Sequence, residues 1–247
     1  MRITWILAIL TFTFILLGSC GSVLAANDDD LTSGLTLNDA GAVDIGESLI
    51  HPASPLYFLK AIREKIELAL AGTKETKAQR QLEFSQRRLR EVKALVKQKR
   101  QDLIDSTLER YKASLSEAEN LVSQDEDLKV TVGEAVARHL DVLQRVYDQV
   151  GNPRAKQAIR AAILRAEEHN RLLLQKLDFS SQQKLIRKTA QQQALACKFL
   201  AKEASGSGLT DTEKVYLQEK VGKCQKNIQE NLKDELMEIK DMKKPQK

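Results

Sequence analysis

The sequence predicts an all-α protein: a multi-helix bundle of antiparallel helical hairpins, six to seven helices in all, behind an N-terminal signal and a flexible tether. Three observations carry this. From Ser54 onward, apolar residues recur at spacings of three and four, which puts one stripe of each segment on a common face. No stretch alternates polar and apolar residues as a half-buried strand does. Of the four prolines, none falls inside a periodic segment.

In chain order, Arg2 precedes the apolar run ILAILTFTFILLG at residues 6–18. That is short for a membrane helix, which needs about 20 residues, and suits a secretory signal. Val23 and Ala25 supply small side chains for a cut after Ala25, making residues 1–25 a signal peptide. Leu17, Gly18, Ser19 and Cys20 read alternatively as a lipobox, with Cys20 as the lipidation candidate. An uncleaved signal is the third option. All three place the rest of the chain outside the cytoplasm, secreted or membrane-tethered at the cell envelope. Residues 26–50 carry Asp28, Asp29, Asp30, Asp39, Asp44 and Glu47 with no Lys or Arg, and read as an acidic flexible linker.

The first helix has Ser54 as N-cap, Pro55 in its first turn, the stripe Leu59, Ile62, Ile66, Leu70, and a stop at Gly72. The second begins near Lys74 and carries Ala78, Leu82, Ser85, Leu89, Val92 and Val96. The third carries Ile104, Leu108, Tyr111, Leu115, Ala118 and Val122; its stripe is out of phase with the second by about 100°, which places a reversal in KQKRQD. A fourth, Glu126 to Val150, turns Leu128, Val132, Val136, His139, Leu143, Val146 and Val150 inward. Gly151 stops it, and Asn152 and Pro153 start the fifth, with Ile159, Ala162, Ala166, His169, Leu173 and Leu177. DFSSQQ reads as a connection, Lys184 to Ala204 as the sixth helix, and Thr210 with Glu213 as the capping box of the seventh. Residues 51–178 thus form a helical domain and residues 179–247 a C-terminal hairpin.

SPLYFLKAIREK, AQRQLEFSQRRLREVKAL and the RHLDVLQRV of the fourth helix resemble the exported, helical bacterial family described as domain of unknown function 5667, over roughly residues 54–175. Where members often place Gly at the second interhelix turn, this chain has Lys97 to Arg100. The resemblance implies export and helices; it implies no activity and no catalytic residues.

Charge is unevenly divided. The second helix is strongly basic and residues 102–127 strongly acidic, so an antiparallel hairpin of the two is expected to match their charges, with Arg87, Arg88, Arg90 and Lys93 facing the third helix. The same four residues are the candidates for binding a polyanion. Aromatic residues do not interleave with them, which disfavours nucleic acid. His139 and His169 fall on apolar stripes about one turn apart across a hairpin, and are weak candidates for a metal or pH-sensing site against the plainer expectation of buried, hydrogen-bonded imidazoles.

Once Cys20 is cleaved off or lipidated, Cys197 and Cys224 remain, an even pair that export would allow to form a disulfide. A tight hairpin centred near Ser207 puts Cys197 opposite Leu217 and Cys224 about 10 Å farther along, beyond the reach of about 7 Å between Cα atoms. The bond therefore requires a connection centred near Thr210, with the sixth helix ending before Lys202 or the two helices crossing steeply.

No nucleophile elbow, phosphate loop or zinc motif is present in the sequence, so neither an enzyme nor a cofactor is expected. The expected function is that of an extracytoplasmic, non-catalytic helical interaction or scaffold protein of the bacterial envelope. Its partner would be another envelope protein or an anionic envelope polymer. The alternatives are a periplasmic metal-binding or envelope-stress sensor-like protein, and polyanion binding through the basic helix 74–100. Membrane association through a Cys20 lipid or an uncleaved signal fits all of these.

Overall fold

Thr73, Asp125, Asn152, Asp178 and Thr210 each accept a hydrogen bond from the first free N–H groups of the helix that follows, and these caps set where five helices begin. The computed structural model describes residues 45–46, 48, 50–122, 125–206, 208–233 and 235–237. Among them are seven α-helices and no strand: α1 Tyr57–Leu70, α2 Lys74–Lys97, α3 Ile104–Leu121, α4 Glu126–Gln149, α5 Pro153–Leu174, α6 Phe179–Ala204 and α7 Asp211–Asn227, the last continued by a π-helical turn, Ile228–Leu232. The signal segment, Cys20 and the linker up to residue 44 lie outside the described residues.

Consecutive helices pair as hairpins, α2 with α3, α4 with α5 and α6 with α7. α4 packs on α2, α5 and α6, and α5 also meets α3 and α7, so the described helices share one core within one compact unit. The stripes of α3 and α4 are buried at every position named above, among them Ile104, Leu108, Tyr111, Leu115, Leu143 and Val146. Each large apolar side chain fully withdrawn from water contributes roughly 1.5–3 kcal/mol, and this shared core is the main source of stability.

The reversal between α2 and α3 is closed without glycine. Lys99 takes the left-handed conformation, φ 58°, while Arg100 N–H bonds to the Leu95 carbonyl at 2.9 Å and Lys99 N–H to that of Val96 at 3.1 Å. This is the Schellman arrangement, with a lysine where glycine is usual. α6 begins earlier than expected: Asp178 accepts from Ser181 N–H at 2.8 Å, so FSSQQ forms its first turn rather than a connection.

α6 and α7 are in register about residue 210, with Gln193 opposite Asn227 and the Cα atoms of Cys197 and Cys224 at 5.9 Å, a disulfide distance. α6 nevertheless runs to Ala204, past Lys202. The mirror argument fails because it takes both helices to end level. Instead the first turn of α7 projects beyond α6 and leans on α5, where Gln157 donates to Glu213 at 2.8 Å.

Two helical glycines behave differently. A Cβ on Gly133 would lie 2.7 Å from a Leu185 methyl and 3.0 Å from Asn170 Oδ1, so this glycine lets α4 approach α5 and α6 closely. Around Gly222, exposed on α7, a Cβ meets nothing within 4 Å, so no close helix contact depends on this glycine. Gly133→Ala is therefore expected to lower stability by about 1–2 kcal/mol, overpacking outweighing helix propensity, and Gly222→Ala to raise it by about 0.5–1 kcal/mol. Urea unfolding monitored by circular dichroism checks both; equal signs would refute the assignment.

Candidate functional site

α1 is inside out. Its stripe of Leu59, Ile62, Ile66 and Leu70 faces solvent with exposures of 49, 50, 54 and 79 %, joined by Leu56 and Phe58. The opposite face, Tyr57, Lys60, Glu64 and Glu67, packs on α2 and meets charges there. A periodic stripe says which residues share a face; the neighbour decides which way that face turns, and α2 offers Arg87, Arg88 and Glu91.

The contact is a buried ionic latch. Arg88, with 7 % of its side chain exposed, donates to Glu64, to Glu91 Oε1 at 2.5 Å and to Tyr57 Oη at 2.7 Å. Tyr57 in turn donates to Glu91 Oε2 at 3.0 Å, and Lys60 lies 2.9 Å from the fully buried Glu91. Arg87 reaches Glu67 at 2.8 Å, and Arg63 shares that carboxylate at 2.6 Å. Burial works against the Arg88 charge, but Glu91 and Glu64 outweigh it and hold the guanidinium above its ordinary pKa. Burial, with the Glu91 carboxylate adding to it, lifts the Tyr57 phenol well above its usual range.

For Arg87 and Arg88 the charge matching expected between α2 and α3 is thereby corrected: both face α1, not the acidic helix. Arg90 and Lys93 remain half-buried on α2. Two carboxylates of α3 meet cations on or just after α5, Asp105 bonded to Arg154 at 3.1 Å, and Glu119 to His169 Nδ1 at 2.9 Å and Lys176 at 3.4 Å. Arg87 and Arg88, being tied to Glu64, Glu67 and Glu91, do not present open guanidinium groups to a polyanion.

His139 and His169 are both buried, and each has a different partner. His139 stacks edge-on to Tyr111, its Nδ1 3.5 Å from the phenol oxygen. Burial, then the neighbouring Arg138 and His169, lower its pKa to about 3. His169 must donate from Nδ1, because a carboxylate only accepts. That hydrogen bond is the main reason the Glu119 pKa lies down at about 2, with His169 and Lys176 reinforcing it against burial. Among the described residues, no group of three or more His, Cys, Asp or Glu is arranged to hold a metal ion. An open groove on α3, α5 and α7 is lined by Glu109, Lys112, Glu168 and Tyr216, but its carboxylates already pair with Lys112 and Lys220. No described helix is long and apolar enough to cross a membrane.

These features define an all-α bundle whose first helix is held by ions and presents an apolar face to solvent. Residues 49–153, from just before α1 to the first residue of α5, match the family described as Domain of unknown function (DUF5667). The match covers α1 to α4, latch included, and ends short of the stretch to residue 175 drawn from sequence. No curated protein and no solved structure matches the chain.

Proposed function

We propose that the chain is an extracytoplasmic, non-catalytic helical interaction module of the bacterial envelope, and that the outward face of α1 is its working surface. One observation carries the reading: α1 buries its ions and exposes Leu59, Ile62, Ile66 and Leu70. Apolar side chains concentrated on one exposed helix face mark a surface that a partner covers, whereas singly scattered ones do not. Helices α2 to α5 supply the rigid support. The Arg2, apolar and small-residue layout of residues 1–25 supports export.

The test uses the full chain in a native-like bacterial host, with Ile62 replaced by the photo-cross-linker p-benzoylphenylalanine. Illumination is expected to give adducts with an envelope component from position 62 and none from the same replacement at Lys226, exposed on α7. Adducts limited to cytoplasmic proteins, on chains still carrying Met1, would sink the location. Absence of adducts at position 62 would sink the role of the face.

A further inference from the structure

We propose that the outward face of α1 lies on the surface of a bilayer rich in anionic phospholipid. This rests on the reading of that face as the working surface, and names what covers it. At about 100° per residue, Phe58, Ile62, Ile66, Leu59 and Leu70 fall within an arc of about 120°. Lys65 borders the arc on one side and Arg63 on the other, both exposed, Arg63 with its Nε on Glu67. The carboxylates of α1 are on the inner side, Glu64 buried at 8 % exposure and Glu67 half-buried beneath Arg87. An apolar face edged by Lys and Arg is the form of a helix lying in a membrane interface, where the aliphatic stems stay with the acyl chains and the charges reach the headgroups.

Charge on a larger scale points the same way. Residues 55–100 hold thirteen Lys or Arg and five Asp or Glu, a net +8 in a chain whose total is +5. The positive potential is thus concentrated in the α1–α2 hairpin that carries the apolar face, and the rest of the chain is net negative. Even with its inner pairs satisfied, such a hairpin is attracted to a surface of negative sign. With 14 residues, α1 is about 21 Å long, too short to cross a hydrocarbon core of about 30 Å, so it lies in the interface plane. A second copy of the chain fits less well. Two such faces pressed together would bring Arg63 and Lys65 against the same borders, with no exposed carboxylate on α1 to answer them.

The latch makes the arrangement workable. In water the outward leucines and isoleucines add little to folding, and the inner, mainly ionic face fixes α1 on the bundle. On a bilayer the apolar face gains its burial without α1 having to turn over.

The experiment places a fluorophore on α1 itself, since residues 6–18 are apolar enough to associate with lipid on their own. Trp5 is the sole tryptophan of the chain, so a full-length Trp5→Phe, Phe58→Trp variant reports position 58 alone; Phe58 is 59 % exposed and accepts the larger ring. The probe is vesicles of phosphatidylglycerol and phosphatidylcholine with dibrominated acyl chains, which quench only tryptophan seated at acyl depth.

Emission is expected to fall by at least about half, the effect weakening several-fold in about 0.5 M salt. Adding Ile62→Asp and Ile66→Asp is expected to weaken vesicle binding at position 58 at least about tenfold, with the helical dichroism unchanged. No quenching by anionic vesicles, or equal quenching by pure phosphatidylcholine, overturns the proposal. So does a concentration-dependent dimer in sedimentation that shields position 58 without lipid. Failure here together with a protein adduct from position 62 would leave the interaction module standing with a protein partner; loss of both removes the working face itself.

Discussion

Replacing Arg88 with Ala is expected to detach α1 from the bundle. The guanidinium is the one group that touches Glu64, Glu91 and Tyr57 together, and its removal leaves two carboxylates facing each other in a half-closed interface. Breaking a buried ion pair by deleting one partner costs about 3–5 kcal/mol, because the remaining charge stays buried without compensation. Most buried helices have many apolar contacts that oppose such a loss. α1 has few, chiefly half-buried Leu68 and the Tyr57 ring beneath Arg110, since its main apolar face points outward.

The cost should therefore appear locally. Amide protection of residues 57–70 is expected to fall by roughly two to three orders of magnitude, while α4 and α5 keep the protection of the shared core. Hydrogen exchange followed by mass spectrometry reads both regions at once. A double variant, Arg88→Met with Glu64→Met, leaves Glu91 held by Lys60 and Tyr57 and is expected to recover most of the loss, since apolar replacement of a whole buried pair is close to neutral. Protection of α1 in Arg88→Ala within about threefold of the parent would show that the latch does not hold the helix.

How much of this is visible in the chain itself differs from element to element. Asn152 with Pro153, and Thr210 with Glu213, announce α5 and α7 because capping is chemistry between near neighbours, written within four residues. The stripes of α3 and α4 are equally plain, since both helices bury their apolar residues in the shared core. α1 is where such reading stops. Leu59, Ile62, Ile66 and Leu70 have the spacing of a core stripe, yet Arg88 and Glu91, some 25 to 30 residues later, decide that the ionic face is the one that packs. A sign was available in Glu64 and Glu67, four positions after Lys60 and Arg63 respectively on a short helix, a density of charge that fits a partner helix as well as solvent. Lys99 in the left-handed conformation left no glycine to mark the α2–α3 turn, and only the shift in stripe phase gave it away.

Acid is expected to act on stability in two distinct regimes, set by buried His139 and Glu167, whose shifts oppose each other, and by half-buried Glu119. His139 is held near pKa 3 by burial, then by Arg138 and His169, against 6.5 for an ordinary imidazole. Its folded pKa is depressed, so the unfolded chain takes up the proton first and stability falls as pH drops from about 6.5 toward 3. Glu167, buried in α5 at 3 % exposure, is raised to about 7 from 4.5, chiefly by burial. There the folded chain takes up the proton first, and stability grows as pH drops from about 7 to 4.5.

Each group contributes a slope of about 1.4 kcal/mol per pH unit, so between about 4.5 and 6.5 the two oppose each other and stability stays nearly level. Below 4.5 Glu167 is protonated in both states and its effect is constant. His139 then acts with Glu119, whose carboxyl at about 2 is depressed and whose contribution is lost as pH falls from 4.5 toward 2. After allowing for the solvent around Glu119, the combined loss from pH 4.5 to 3 is about 3 kcal/mol. Urea midpoints measured from pH 3 to 8 are expected to show this plateau and steep acid limb. Glu167→Gln should remove the opposing effect and let the decline begin near 6.5, and His139→Phe should make the acid limb shallower by about half. An acid limb of unchanged slope in His139→Phe would mean that the imidazole is not the neutral, desolvated group its place between α3 and α5 makes it.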